Sequence, residues 1–543
     1  MRWIAPHQKD TATATLEARL WEAADSLRAN SGLSAAQYSQ PVLGLIFLRF
    51  ADAKFAARRA ALEKDASGRR GSRIDDPTAY HSSGVLFLPP ESRFDELLEY
   101  PEGGRRGKAL GQAANEAMRG IERDNPQLAG ALPKTYQGLN ARLIKELLKT
   151  FSTIPVDIEG DSFGKIYEYF LGEFAMTEGQ GGGEFYTPTS IVRLLVEILE
   201  PFQGRVLDPA CGSGGMFVQS ARFVSEHKKN GGANALSIHG VEKGNDTGRL
   251  CRLNLAVHGL EGDIRHGGDI NSYYDDPHNL AGRFDFVLAN PPFNVNSVDK
   301  ERIRDSVGKG RRFPFGVPKP DNANYLWIQL FYAALSATGR AGFVMANSAS
   351  DARSSEQELR KQLIEARAVD VMVAVGPNMF YTVTLPCTLW FLDRGKANSR
   401  RRDNVLFIDA RHIYRQIDRA HRDWTQGQVG FVSNIVRLYR GEELDLTYGG
   451  DDAGAKLREA FGSKPKYADI PGLCKIASVN EIEAQGWSLN PGRHIAVAPG
   501  DAISDEDFSA QFSALNEEFE ALTDVARKLE KTIGKNAAEI LGS

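Results

Sequence analysis

Residues 288 to 293 read Leu-Ala-Asn-Pro-Pro-Phe and directly follow the apolar run Phe284-Asp285-Phe286-Val287. A strand that stops at this hexapeptide sets four unusual groups at one sheet edge. Asn290 offers an amide oxygen, Pro291 and Pro292 fix the direction of the backbone carbonyls, and Phe293 projects a flat ring. The combination suits gripping a planar exocyclic amine by its hydrogens while an aromatic ring stacks on the ring that bears it. Such a site modifies an amine, and methyl transfer to it requires a donor site elsewhere in the chain.

Asp208-Pro209-Ala210-Cys211-Gly212-Ser213-Gly214-Gly215 has the character of a donor loop: it follows a short apolar run and precedes an apolar helix starting near Met216. Glycines there allow a tight turn and close backbone approach to a ligand. The G-x-G-x-x-G spacing of dinucleotide sites is absent, and an acid opens the loop. An acid suits the ammonium and sulfonium of S-adenosylmethionine better than a pyrophosphate. Glu242 ends the next apolar run and is expected to accept hydrogen bonds from ribose hydroxyls. Asp269, after Gly267-Gly268, is placed to accept from an adenine amino group, although an Asp there is also a common turn residue. Upstream, Glu184-Phe185-Tyr186-Thr187-Pro188-Thr189 leads into a helix that Thr187 or Thr189 could cap.

These groups need a scaffold. From about 155 to 395, β-branched runs (Arg205 to Leu207, Ile238 to Val241, Phe284 to Leu288, Gly342 to Met345, Val369 to Val375) alternate with helical segments. That alternation predicts an α/β fold with a doubly wound, mainly parallel sheet. Ligands of such sheets sit at the strands' carboxyl ends, which places Asp208, Glu242, Asp269 and Asn290 along one edge. Residues 1–150 read as a helical N-terminal domain, with Leu16, Leu20, Trp21, Ala24 and Leu27 on one face. Pro41 to Phe55 reads as a buried helix with proline at its first position. Residues 151–400 form the expected catalytic domain. Beyond the basic stretch Arg394 to Arg402, a C-terminal extension (401–543) ends in a long helix over about 504–535. There Phe508, Phe512, Leu515, Phe519, Leu522, Ala526, Leu529 and Ile533 keep the spacing of a coiled-coil seam.

The 543 residues carry a net charge of −4, so any nucleic-acid contact relies on a local basic patch or on a partner. Cys211, Cys251, Cys387 and Cys474 form no C-x-x-C pair, so neither a disulfide framework nor a zinc site is expected, and a reducing cytoplasm fits. Pro386-Cys387 lies in an apolar strand-like run and reads as a buried structural cysteine rather than a nucleophile. No apolar stretch approaches a membrane span. The segment holding Arg302, Arg304, Lys309, Arg311 and Arg312 between Asn290 and Phe315 reads either as a mobile loop closing on DNA or as a solvated one.

Phe185-Tyr186-Thr187-Pro188, then the loop from Asp208, then Asn290-Pro291-Pro292-Phe293 is the motif order of N6-adenine DNA methyltransferases. More narrowly, nearly the whole chain resembles the modification subunit of type I restriction-modification systems. Leu16-Glu17, Leu20-Trp21 and Ala24-Asp25 share in this, as do Leu43 to Leu48, Ala341 to Asn347 and Leu385 to Leu392. The resemblance implies a sheet of the S-adenosylmethionine-dependent methyltransferase type. It implies that Glu184 to Thr189, Ser213, Gly214, Gly215 and Glu242 hold the cofactor and that Asn290, Pro291, Pro292 and Phe293 hold a flipped adenine of double-stranded DNA. It also implies a specificity subunit, a second modification subunit and, in the cleaving complex, a restriction subunit. One departure is Glu184, where relatives often carry Gln. Alternatives are an amino-methyltransferase acting on cytosine N4 or on a protein glutamine, or a non-catalytic DNA-binding assembly subunit.

Overall fold

The computed structural model describes residues 1–5, 13–65, 73–155, 162–178, 187–227, 235–319, 323–380, 385–418, 421–497 and a few positions between 516 and 533. Twelve strands are present among them: β1 (Trp3–Ala5), β2 (Gly204–Asp208), β3 (Leu236–Glu242), β4 (Gly262–His266), β5 (Phe284–Ala289), β6 (Leu335–Ala346), β7 (Val369–Val375), β8 (Cys387–Asp393), β9 (Asn404–Asp409), β10 (Ile413–Gln416), β11 (Arg422–Asp423) and β12 (Cys474–Ser478). Nine of them form one sheet in the order β12-β9-β7-β8-β6-β5-β2-β3-β4. β4, β3, β2, β5 and β6 run parallel, and β8 inserts antiparallel between β6 and β7.

Alternation along the strands builds two cores. Val206, Leu288 and Val344 face one layer, with Leu195, Phe217 and Val432 from the helices Thr189–Leu199, Gly215–His227 and Gln426–Arg440. Leu207, Val287 and Phe343 face the other, with Phe331 and Leu363 from Asn324–Ala334 and Ser355–Glu365. Strands buried on both faces explain why they read as continuous apolar runs.

The N-terminal helices form their own core around Leu20, Ala24, Tyr38, Leu45 and Phe47, which Leu253 and Val257 of the helix Asn245–Val257 also join. Pro41 does not open its helix, as its type suggested; it lies inside Ala35–Asp65. Its carbonyl accepts the Tyr136 hydroxyl at 2.9 Å. Tertiary packing of this apolar segment therefore offsets the lost backbone bond.

The sheet also runs past residue 400. β9 pairs with β7, and β12 closes that edge. The basic stretch at 394–402 packs into the fold: Lys396 is buried, and Arg401, like Arg440, pairs with the fully buried Asp370. Removing one partner from such a pair costs about 3–5 kcal/mol. β1 joins β10 and β11 in a second, small sheet.

Met1–Ile495 constitutes one unit and Ala496–Ser543 another. In the second, Phe508, Phe512, Leu515, Phe519 and Leu522 lie outside the described residues; Ala526, Leu529 and Ile533 are helical and exposed. Among the described residues no helix is long and apolar enough to cross a membrane.

Candidate active site

Three groups singled out by type meet at the carboxyl edge, because β2, β3 and β5 are adjacent parallel strands. β2 ends on Asp208, β3 ends on Glu242, and β5 hands over to Asn290.

Asp208 is 1% exposed and accepts the Ala210 amide at 3.0 Å. Burial pushes its carboxyl up to about 8, and the nearby Glu242 charge adds to this, against the lowering effect of the Ala210 N–H. A buried acid with one amide donor calls for a cationic or hydrogen-bonding ligand. Glu242 is oriented by two backbone amides: Gly212 donates to Oε2 at 2.9 Å and Gly244 to Oε1 at 2.7 Å.

Between these acids the loop turns sharply, with Gly212 at φ +51° and Gly214 at φ +83°. A Cβ on Gly214 would lie 2.8 Å from the Cys251 sulfur, whereas one on Gly212 or Gly215 would meet nothing within 4 Å among the described residues. Among those residues the loop packs on Cys251 behind and leaves its front clear. Asn254 donates to the Ser213 carbonyl at 2.9 Å, holding the loop to its neighbouring helix. Cys211 hydrogen-bonds Cys251, and that bond together with burial raises its thiol far above the ordinary range; it packs rather than reacts. Asp269 is exposed, in a turn where Gly267 and Gly268 have positive φ and Gly267 donates to the Glu242 carbonyl at 3.2 Å.

At the Asn-Pro-Pro-Phe turn, the Asn290 amide nitrogen donates to the Thr187 hydroxyl at 2.9 Å. The Asn290 side-chain oxygen is buried and, among the described residues, has no partner. Pro291 is buried; Pro292 and Phe293 are half-buried. Asn294 and Asn324 exchange two hydrogen bonds of 2.9 Å, which tie the turn to the start of the helix Asn324–Ala334. Pro188 caps the helix Thr189–Leu199 by position, with no side-chain cap bond. Neither threonine caps it as the sequence suggested, since Thr187 turns instead to Asn290. Glu184, Phe185 and Tyr186 lie outside the described residues.

The basic segment is neither a free loop nor simply solvated. Arg312 is buried and donates to the Ser272 carbonyl, while the Ser272 hydroxyl donates to the Pro209 carbonyl at 2.5 Å. Arg302 lies 3.9 Å over the Tyr274 ring, and Phe313 is fully buried. Arg302, Arg304, Lys309 and Arg311 remain exposed. Ser272 and Arg312 thus buttress the donor loop, a role their types do not announce. Cys387 is buried at the start of β8, where burial alone raises its thiol, so it stays a packing residue.

The strand order, the acid-opened glycine loop after β2 and the Asn-Pro-Pro-Phe turn after β5 define a fold of the S-adenosylmethionine-dependent methyltransferase class. Residues 158–501 match the N-6 DNA Methylase family model, and residues 16–151 match the HsdM N-terminal domain. The type I restriction enzyme MjaIX methylase subunit of Methanocaldococcus jannaschii is 35% identical over 99% of this chain and 94% of its own. The HindI methylase subunit of Haemophilus influenzae is 33% identical over 80% of this chain and 94% of its own. The crystal structure of the type I restriction-modification methyltransferase subunit from Streptococcus thermophilus shares the fold, with a TM-score of 0.69 at 22% identity over 89% of this chain and all of that one. The chain belongs to the N-6 DNA methylase family, in the group of type I restriction enzyme methylase, or modification, subunits.

Proposed function

We propose that this chain transfers a methyl group from S-adenosylmethionine to N6 of adenine in double-stranded DNA. It acts as the modification subunit of a type I restriction-modification complex that protects host DNA from cleavage. The observation that carries this reading is the buried, unpaired side-chain oxygen of Asn290 at the carboxyl edge. An unsatisfied buried acceptor costs about 1–3 kcal/mol, which an incoming N–H donor recovers.

S-adenosylmethionine, when bound, supplies an electrophilic methyl on a sulfonium. Asp208 faces its positive charge, Glu242 takes its ribose hydroxyls, Asp269 its adenine amine, and the open side of Ser213, Gly214 and Gly215 admits its backbone-proximal atoms. Glu184, Phe185, Tyr186, Thr187, Pro188 and Thr189 also take part in holding the cofactor. The target adenine leaves the duplex stack to enter the site. Phe293 stacks on it, worth roughly 1–3 kcal/mol. Asn290 Oδ1 and the Pro291 carbonyl accept the two N6 hydrogens, and Pro292 keeps that carbonyl aimed. Held this way, the nitrogen lone pair leaves conjugation and points out of the base plane, an orientation effect.

Residues 1–150, 151–400 and 401–543 divide the work between docking, catalysis and assembly, with β9 and β12 of the last segment completing the catalytic sheet. A specificity subunit reads the DNA sequence, a second modification subunit completes the methylating assembly, and a restriction subunit joins for cleavage. The heptad-patterned segment 504–535 contacts the specificity subunit; its apolar Leu529 and Ile533 are 56% and 62% exposed. Deleting 504–543 should abolish co-purification with that subunit, and a surviving complex removes the assignment. The cytoplasm, where host DNA is accessible, is the compartment of action.

Co-expression with the specificity subunit, followed by mapping of modified bases in host DNA, tests the activity. N6-methyladenine at one recurring site is the expected product. Label in cytosine N4 or in protein overturns it.

A further inference from the structure

The helix Gly215–His227 starts at the catalytic edge and ends, roughly 18 Å away at about 1.5 Å per residue, in a second polar cluster. There His227 meets Glu197 of the helix Thr189–Leu199 and Asp445, which follows the helix Gln426–Arg440. One oxygen each of Glu197 and Glu226 and one ring nitrogen of His227 lie within 4.8 Å of one another. Among the described residues no other group of His, Cys, Asp and Glu converges in this way.

Hydrogen bonding fixes what His227 offers. Its Nδ1 lies 2.9 Å from the Phe223 carbonyl, which can only accept, so Nδ1 carries a proton. The neutral ring then presents a bare lone pair at Nε2. The side chain is 4% exposed, and Nε2 has no hydrogen-bond partner among the described residues. Two carboxylates nevertheless approach it, Asp445 Oδ2 at 3.3 Å and Glu197 Oε2 at 4.0 Å. A lone pair set against two carboxylates is repulsive. A proton on Nε2 would supply charge but no hydrogen bond, since neither oxygen meets the geometry for one. A metal ion in front of Nε2 would serve all three atoms.

The other atom of each side chain is already held by the protein, as is usual for metal ligands. Glu197 Oε1 accepts from Arg193 Nε at 2.9 Å, and Asp445 Oδ1 accepts the Thr447 amide at 2.9 Å. Arg193 also donates to Glu226 Oε2. Ligands about 2.1 Å from a tetrahedral ion stand about 3.4 Å apart, close to the separation of His227 and Asp445. Burial raises the Glu197 carboxyl even with Arg193 and His227 beside it, so these cations leave a demand for positive charge.

We propose that His227 Nε2, Glu197 Oε2, Asp445 Oδ2 and a Glu226 carboxylate oxygen form a structural site for a divalent metal ion of the zinc type. Imidazole mixed with carboxylates favours such an ion over Mg²⁺ or Ca²⁺, which take oxygen shells. No cysteine takes part, so the site is unlike the zinc motifs that cysteine spacing excludes. Four protein ligands leave no open position, so the ion ties three segments together and stays out of the methyl transfer.

The test uses the full chain, stripped with a chelator and titrated with Zn²⁺ against a chromophoric competitor, with Mg²⁺ as the control. Metal content after gel filtration and thermal melting are read alongside. Wild type should retain one zinc per chain and melt later with zinc than without, and magnesium should change neither. His227→Gln should abolish stoichiometric binding. Asp445→Asn keeps an oxygen for the Thr447 amide and should preserve the fold. It should weaken zinc binding at least about tenfold, since losing even a residue behind a ligand costs about 10–100-fold. No stoichiometric zinc in wild type, or wild-type binding in both variants, overturns the proposal and leaves His227 as an imidazolium beside Asp445. If His227→Gln melts too early to assay, wild-type stoichiometry and Asp445→Asn decide.

Discussion

Gly215→Ala separates the fold from the ligand. Gly215 opens the helix Gly215–His227, and among the described residues a Cβ there meets nothing within 4 Å. The ligand-free fold should therefore tolerate the methyl and gain up to about 1 kcal/mol from the better helix former. If the cofactor occupies the open face of the loop, the same methyl intrudes on it. Crowding of a close contact costs about 1–3 kcal/mol. At about 1.4 kcal/mol per tenfold, cofactor affinity should fall roughly 5- to 150-fold. Gly214→Ala is the contrasting case. Its φ of +83° is strained for any side chain, and its Cβ would lie 2.8 Å from the buried Cys251 sulfur. Left-handed strain of about 1–2 kcal/mol adds to overpacking of about 1–3 kcal/mol, so stability and affinity should fall together. Thermal melting without ligand and calorimetric titration with S-adenosylmethionine measure the two quantities. Wild-type affinity in Gly215→Ala would refute the placement of the cofactor, and early melting of that variant would refute the open space.

Asp208 makes both stability and binding depend on pH. The unfolded chain loses this proton near its ordinary value of 3.8, but the folded chain keeps it up to about 8. Across that window the unfolded state binds fewer protons, so the ligand-free fold should lose stability as pH rises, and Asp208→Asn should flatten the slope in urea titrations. Affinity for a cationic ligand that needs the ionised acid should rise over the same window, and a flat affinity profile would remove Asp208 from the cofactor site. Arg312→Glu should lower thermal stability, since Arg312 is buried against Ser272. Lys309→Glu, at an exposed position, should leave melting unchanged and reduce the salt slope of DNA binding by about one or two; an unchanged slope excludes this segment from phosphate contact.

Much of the catalytic edge was legible because short apolar runs stop at polar residues of unusual type. Asp208, Glu242 and Asn290 each end or follow a strand, and parallel strands bring such ends together. The helical N-terminal region was legible from the spacing of Leu20 and Ala24, both of them buried. Tertiary partnerships were not. Nothing local marks Thr187 as the partner of Asn290, or Arg312 as a buttress behind Pro209 rather than a DNA contact. Pro41 reads locally as a helix start, yet packing against Tyr136 carries the helix through it. Nothing local in the basic stretch marks Arg401 as the partner of the buried Asp370 or Lys396 as a buried residue. The antiparallel β8 and the added β9 and β12 likewise depend on pairing across distant segments.

In the proposed reaction Asn290 grips the amine that receives the methyl group. Single-turnover transfer of labelled methyl to cognate DNA by the assembled complex carrying Asn290→Ala, measured beside S-adenosylmethionine binding, tests it most directly. Transfer should be abolished while cofactor binding stays nearly intact. Transfer that persists, or cofactor binding lost along with it, would contradict the account.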